Sequence, residues 1–187
     1  MGIIVPTTEL EAVNYLLEAI EEEQVNTLVG TTDPDVAAAQ RFLAQALRSL
    51  QTPGWEFNTE AEHTLSPDIH GTIAAPSNLV KFTVPGSSYA IRNSRLYDRQ
   101  NGTYSFTEEV TGTAIFFLSF EELPMAARNY VTLLAAFSFQ AKRAPDALVA
   151  RLTQGEIDAA WADFVADDTR SGGFSFRHIS DIQNRQR

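Results

Sequence analysis

The sequence contains no cysteine, so neither a disulfide framework nor a metal site built from thiolates is possible. Its longest apolar runs, residues 114–118 and 133–137, are far shorter than the roughly 18 residues that a membrane-spanning helix needs. The N-terminal residues include no basic region, and we expect no secretory signal there. A chain of 187 residues with 44% hydrophobic content is expected to form one or two globular domains with a real core and no membrane partner.

Positive charge is also scarce and unevenly distributed. The net charge is −10, and residues 1–40 hold eight acidic residues without one lysine or arginine. This composition argues against a protein whose task is to grip nucleic acid, because such proteins cluster lysine and arginine. Residues 170–187 differ, with four arginines against one aspartate. That basic end is expected either to dock on something acidic or to be simply a solvated terminus.

The motifs of the common enzyme classes are missing. There is no G-x-S-x-G, no glycine-rich phosphate loop and no H-E-x-x-H. Asp68 and His70 could supply two metal ligands, but a third is not evident. Glu60 and Glu62, with Glu56 further along the same predicted strand, could provide the carboxylate pair of a glycosidase, which stands about 5–10 Å apart. We predict no enzyme activity, cofactor or metal; the alternative is a glycan-cleaving enzyme that uses these carboxylates.

Residues 33–58 organise the rest of the chain. Asp33 can accept hydrogen bonds from the free amides of a helix start, and Pro34 suits the first helical position. Residues 53–54, Pro-Gly, end this helix, and an alternating pattern over residues 55–65 then predicts a half-buried strand. The apolar stripe of the helix consists of Val36, Ala39, Phe42, Leu43, Ala46, Leu47 and Leu50.

A β region is predicted between this helix and residue 118. Turn signals recur there about every 8–10 residues, which is typical of short strands joined in hairpins. They predict one small, mostly antiparallel sheet. Its expected strands, after the first, are residues 79–84, 89–92, 95–98, 104–107 and 110–118.

Capping signals predict the other helices. Thr8 and Glu11 form a capping box at the start of the first helix. A second capping box at residues 119–122 opens a helix that Pro124 should break or restart. The third helix is expected over residues 125–142, and its nearly all-apolar circumference predicts burial on most sides, including against a neighbouring subunit. A fourth helix should follow, from residue 145 or 146 to about 168.

These elements predict an α+β fold, a four-helix bundle with a small antiparallel β lobe inserted between helices 2 and 3. The bundle would comprise residues 1–54 and 119–170 as one discontinuous domain, with residues 55–118 as the β lobe. Residues 171–187 would form an extended C-terminal tail after a glycine-rich break.

Short segments along the chain resemble one known family. They are Gly54-Trp55-Glu56-Phe57-Asn58 after an arginine-bearing helix, Leu96-Tyr97-Asp98-Arg99 after a hairpin, and Leu123-Pro124, Arg128, Tyr130, the alanines 135–136 and Phe139-Gln140 in the third helix. In this order they resemble tail tubular protein A of T7-like podophages, the head-to-tail adaptor or gatekeeper of the short-tailed virion. The likeness runs from about residue 10 to residue 176. The chain departs from the family in its acidic first connection and its arginine-rich end.

The resemblance implies a homo-oligomer, in this family a dodecameric ring, between the portal protein and the tail nozzle, a protein like tail tubular protein B. DNA would pass through the ring without specific binding during ejection. Twelve copies at −10 each would carry about −120, a charge that repels DNA phosphates and lets the genome slide. The protein would belong to the short tail of the virion and assemble in the host cytoplasm. A non-viral oligomeric scaffold is a further alternative.

Aromatic and arginine side chains are the candidate contact residues. Trp55 and Phe57 are expected to anchor the joint between the bundle and the β lobe. The tail alternates aromatic and polar residues before its arginines, so it can add as a strand or lie in a groove with its arginines on carboxylates. The residues expected to contact a neighbouring subunit or the portal are Tyr130, Phe137, Phe139, Trp161, Phe174, Phe176, Arg177, Arg185 and Arg187.

Overall fold

A computed structural model describes residues 5–143 and 147–171 of the chain; for residues 147–153 it describes the backbone. The fold is α+β, as predicted, with four helices and two small antiparallel sheets. Its described residues divide into two compact units, a helical unit before residue 54 and after residue 118, and a β unit of residues 54–118. Among the described residues, none of the helices combines the length and the apolar composition needed to cross a membrane.

The helical unit holds α1 (Glu9–Glu18), α2 (Pro34–Gln51), α3 (Met125–Arg143) and α4 (Ala147–Ser171). The predicted caps of α1 and α2 are confirmed. The Thr8 hydroxyl accepts a hydrogen bond from the Glu11 amide at 3.2 Å, and the Asp33 carboxylate accepts one from the Asp35 amide at 2.8 Å. Each cap satisfies a backbone donor that the helix itself leaves without a partner.

The break before α3 is confirmed as well. The capping box at Ser119 opens only a 3-10 turn, Phe120–Glu122, and α3 restarts at Met125 immediately after Pro124. Proline has no amide to continue the first turn, and its ring favours an extended residue before it. Leu123 accordingly has a ψ of 149°.

α3 is the central helix of the unit. It contacts α1, α2 and α4, and its buried side chains include Val131, Leu133 and Phe139. A helix with three helical neighbours is expected to be apolar on most sides. The apolar circumference of α3 is therefore explained within one chain, and it no longer argues for a neighbouring subunit.

α1 is fastened to α3 by hydrogen bonds at both of its ends. Arg128 donates from Nη1 to the Thr7 carbonyl oxygen at 2.9 Å, just before α1 begins. Gln140 donates from Nε2 to the Ala19 carbonyl oxygen at 2.9 Å, just after α1 ends. Both bonds span 121 residues of sequence, so α1 and α3 run in the same direction with a fixed register.

α1 ends in a left-handed residue that is not glycine. The Glu22 amide donates to the Leu17 carbonyl, the Glu21 amide donates to the Glu18 carbonyl, and Glu21 has a φ of 63°. This is a Schellman motif, in which glycine is the usual left-handed residue because a Cβ atom is disfavoured there. Glu21 also places a negative charge at the negative end of the helix dipole.

Replacing Glu21 with glycine should therefore stabilise the protein by about 1 kcal/mol, since the left-handed conformation costs an L-residue roughly 1–2 kcal/mol. For a chain of this size, the melting temperature should rise by about 2–4 °C. Calorimetry of the natural sequence and the variant measures the change. Glu21→Gln removes the charge but keeps the Cβ atom; a gain as large with glutamine as with glycine would contradict the backbone explanation.

The β unit contains two sheets rather than the single predicted one. β1 (Thr59–Leu65), β2 (Leu79–Thr83) and β5 (Val110–Phe116) form an antiparallel sheet in the order β1-β5-β2, while β3 (Tyr89–Arg92) and β4 (Arg95–Asp98) form a separate hairpin. Both sheets contribute to one core, which consists of Leu65, Ile73, Phe82, Leu96, Val110, Ala114 and Phe116.

The predicted start of the first strand is wrong. Glu56–Asn58 form a 3-10 turn, and β1 begins at Thr59. The buried Asn58 side chain closes this turn by accepting from the Trp55 amide at 2.7 Å and donating to the Phe116 carbonyl at 2.8 Å. The second bond joins residues 58 positions apart, so no local pattern could indicate it.

Two further strand predictions need correction. Residues 104–107 form no strand; Ser105 makes only an isolated bridge to Thr72. β1 also departs from simple alternation, because a bulge lies between Glu60 and His63. The extra residue of a bulge changes which side chains share a face. Ala61, which the predicted alternation from residue 55 would place on the inward side, is exposed.

Candidate functional site

The β3–β4 hairpin places two arginines beside each other at its tip. Arg92 and Arg95 are paired directly across the hairpin, and both are exposed. The turn between them, Asn93 and Ser94, has φ angles of 50° and 54°, the positive values that a two-residue type I′ hairpin turn requires at both positions. Like charges that face each other directly destabilise a strand pair. The placement is therefore unfavourable unless other contacts offset it.

Two tyrosine rings provide such contacts. The guanidinium carbon of Arg92 lies 4.4 Å from the centre of the Tyr97 ring, and that of Arg95 lies 4.7 Å from the centre of the Tyr104 ring. The tyrosine ring centres are 4.7 Å apart. These four side chains form a continuous series of contacts, which we call the arginine–tyrosine row. It was missed from the sequence, although two arginines flanking a predicted hairpin tip were a visible signal.

Asp98 and Arg99, which follow Tyr97 in the segment that resembles the podophage family, fix the loop after the hairpin. The Asp98 carboxylate accepts hydrogen bonds from the Asn101 side chain at 2.7 Å, the Gln100 amide at 2.8 Å and the Asn101 amide at 3.1 Å. Arg99 donates from Nε to the Ser88 carbonyl at 3.1 Å, at the start of the hairpin. This segment is therefore a structural clamp that supports the row.

Acid should weaken this clamp. Hydrogen bonds from the Asn101 side chain and amide, then from the Gln100 amide, lower the pKa of Asp98 below its ordinary value of 3.8. A carboxyl whose pKa is lower in the folded state contributes stability above its unfolded pKa, and that stability is lost as the pH falls through the folded pKa. The pKa values of Glu11, Asp68 and Glu122 are lowered in the same way, mainly by backbone hydrogen bonds.

We therefore expect the urea midpoint of unfolding to fall steadily from about pH 5 to about pH 3. Asp98→Asn should lower the midpoint at neutral pH and reduce its dependence on pH in that range. Asp163→Asn removes the same charge from an exposed position of α4 and serves as the control. Equal pH dependence in the natural sequence and Asp98→Asn would show that the clamp does not depend on a charged carboxylate.

Glu60 pairs with a histidine and not with the second carboxylate that a glycosidase would require. The bulge brings Glu60 and His63 to one face, and the Glu60 carboxylate lies 2.6 Å from Nδ1 of His63. A depression of about 240 Å³ beside it is lined by Phe57, Asn58, Thr59, Glu60, Asn78, Phe116 and Leu118. It contains one carboxylate, whereas a glycosidase uses two. This part of the β unit gives the glycan-cleaving alternative no support.

Asp68 and His70 belong to a turn that the Asp68 side chain stabilises. The Asp68 carboxylate accepts hydrogen bonds from the His70 and Thr72 amides, each at 2.8 Å, and so closes the turn that it begins. Within residues 5–143 and 147–171, no three or more histidine, aspartate and glutamate side chains come together as a metal site would require. The geometry therefore gives Asp68 the role of a turn residue.

Three predicted interface residues, Tyr130, Phe137 and Trp161, lie on α3 and α4. Tyr130 and Trp161 have ring centres 4.9 Å apart, and Phe164 lies 5.7 Å from Trp161. Tyr130, Phe137 and Trp161 are half-buried, so each combines packing inside the chain with some exposed surface. Burial, and then the nearby Asp158, raise the pKa of the Tyr130 hydroxyl. The role of Tyr130, Phe137 and Trp161 in a subunit or portal interface stays a prediction.

The other predicted contact residues divide into three groups. Phe139 is 0% exposed and packs on Phe42 with ring centres 5.5 Å apart, so it is an interior residue of the helical unit. Trp55 is buried and Phe57 half-buried, and their role as a joint stays a prediction. The tail residues Phe174, Phe176, Arg177, Arg185 and Arg187 lie outside the described residues.

The described residues thus define a class, an α+β protein with a helical unit and a β unit. The family model for tail tubular proteins matches residues 10–174, which is most of the chain. The chain therefore belongs to the tail tubular protein family, and it is a structural protein of a bacteriophage tail. A comparison with curated proteins found no match.

Proposed function

We propose that this protein is the head-to-tail adaptor of a short-tailed phage, a ring of identical chains between the portal and the tail nozzle. The observation that carries the proposal is the family match over residues 10–174. In this proposal the four helices form one bundle that contacts the portal, and the β unit faces the nozzle. DNA passes through the ring during ejection, and the ring acts as its gatekeeper.

The charge of the chain supports a conduit. A ring of chains that each carry −10 surrounds its lumen with negative charge, which repels DNA phosphates. A lumen that bound the duplex tightly would slow its passage, because each phosphate contact adds to the affinity. An acidic ring is therefore better suited to passage of DNA than to its retention.

Negative-stain electron microscopy tests this function. The purified full-length chain is imaged alone, with purified portal protein, and with both portal and nozzle proteins. Rings coaxial with the portal, which then accept the nozzle, are the expected result. If the chain binds the nozzle but never the portal, it is a tail component of another position, and the adaptor function is wrong.

The C-terminal residues are expected to strengthen the portal contact. Residues 172–187 contain three arginines and one aspartate, so they can bind carboxylates of the portal or of a neighbouring chain. A chain that ends at Gly172 should fold normally but bind the portal more weakly, and its remaining binding should depend less on salt. Co-sedimentation at low and high salt measures both effects; equal binding of the two chains at every salt concentration would show that these residues make no portal contact.

A further inference from the structure

We propose that the arginine–tyrosine row is an intersubunit contact that binds carboxylates of a second copy of this chain. The inference rests on the proposed ring. Like-charged chains repel, so a ring of chains with a net charge of −10 needs local complementary contacts. The row places two positive charges side by side on a chain whose net charge is −10.

Among the described residues, the arginines of the row have no acidic partner. Within residues 5–143 and 147–171, no carboxylate lies at ion-pair distance from Arg92 or Arg95. Asp98, the acidic residue of the hairpin, is mostly buried, and its hydrogen bonds go to Gln100 and Asn101. No carboxylate in the described part of the chain therefore neutralises the two like charges that face each other at the tip.

The tyrosines prepare these arginines for binding. A guanidinium stacked on a ring keeps its edge N–H groups available for a carboxylate, and it loses less side-chain freedom when it binds. The exposed tip of the hairpin also leaves room for another chain. The hairpin thus holds two arginines side by side as carboxylate-binding groups.

The complementary surface is present in the same sequence. Residues 1–40 contain no lysine or arginine, and Glu21, Glu22 and Glu23 are consecutive and exposed at the end of α1. These carboxylates stand at the negative end of a helix dipole, where a positive partner would stabilise them. A neighbouring copy that docks its row on this end of α1 would neutralise both surfaces at once.

Charge reversal tests the contact. Arg92→Glu with Arg95→Glu should raise the concentration for half-assembly by roughly tenfold or more, because like charges across an interface strongly disfavour it. Assembly is measured by sedimentation velocity of the full chain, alone and with portal protein. Arg41→Glu with Lys81→Glu, two exposed cations outside the row, gives the same net charge and should change assembly far less.

A compensating exchange makes the test specific. Glu22→Arg with Glu23→Arg should weaken assembly alone and restore it when combined with the reversed row. Arg92→Gln with Arg95→Gln gives a milder version, and circular dichroism checks that each variant is folded. Normal assembly of the folded reversed-row variant would overturn the inference while leaving the ring intact.

The other possible results identify what the arginine–tyrosine row binds. If the reversed row assembles poorly but the glutamate exchange restores nothing, the partner is not this end of α1 and the inference is wrong. A duplex DNA probe in the same salt distinguishes phosphates from carboxylates. Row-dependent binding of DNA together with unaltered assembly would assign the row to nucleic acid. If the natural sequence forms no ring with or without portal, the proposed function fails and the inference fails with it.

Discussion

Replacing Phe139 with alanine should lower the free energy of unfolding by about 3–5 kcal/mol, the usual loss for a large aromatic side chain removed from a core. Phe139 is 0% exposed on the central helix α3 and packs against Phe42 of α2. The ring fills space between two helices, and an alanine would leave a cavity there. Urea denaturation followed by circular dichroism measures the loss.

Phe137 provides the matched control on the same helix. It is half-buried beside Leu133 and Ile157, so Phe137→Ala should cost clearly less stability than Phe139→Ala. If Phe137 also contacts a neighbouring chain, its replacement should weaken assembly more than Phe139→Ala does at a temperature where both are folded. Equal losses of stability at the two positions would contradict the interior position of Phe139.

Replacing Gly112 with alanine should destabilise the β unit by about 1–3 kcal/mol, the range for overpacking a close contact. Gly112 lies in β5, the middle strand. An added Cβ atom would lie 2.6 Å from the Thr83 carbonyl oxygen and 2.7 Å from a methyl carbon of Val84. The backbone oxygen of an adjacent strand cannot move away without disturbing the sheet. Thermal unfolding followed by tyrosine and tryptophan fluorescence measures the effect.

The same substitution should have the opposite sign at Gly155. This residue lies inside α4, and a Cβ atom added there meets nothing within 4 Å. Gly155→Ala should raise stability by roughly 1 kcal/mol, since glycine is a poor residue for a helix interior. A destabilised Gly155→Ala variant, or an unaffected Gly112→Ala variant, would contradict the packing described for these two positions.

The parts of the fold that the sequence predicted depend on near neighbours. Thr8 with Glu11 and Asp33 with Pro34 act within three or four residues, so both helix starts were visible. Pro124 likewise acts on the residues beside it. Local signals of this kind belong to the chain itself and need no knowledge of the tertiary structure.

The parts that were missed depend on distant neighbours. Asn58 closes its turn with Phe116, and the bulge in β1 exists only relative to β5. The arginine–tyrosine row needs Tyr104, which comes from a segment wrongly predicted to be a strand. In each case the decisive contact joins segments that the sequence alone could not bring together.

The hydrogen bonds that hold α1 parallel to α3 also affect the order in which the chain folds during synthesis. α1 and α2 emerge first, but the Arg128 and Gln140 side chains that hold the ends of α1 emerge only after the whole β unit. At about 5–20 residues per second, the first two helices wait on the order of ten seconds for α3. During that time α1 and α2 can pack on each other but not yet on α3, while the β unit can already close its own core. The nascent chain should therefore gain protease resistance first in residues 54–118, although they are not the first to be made.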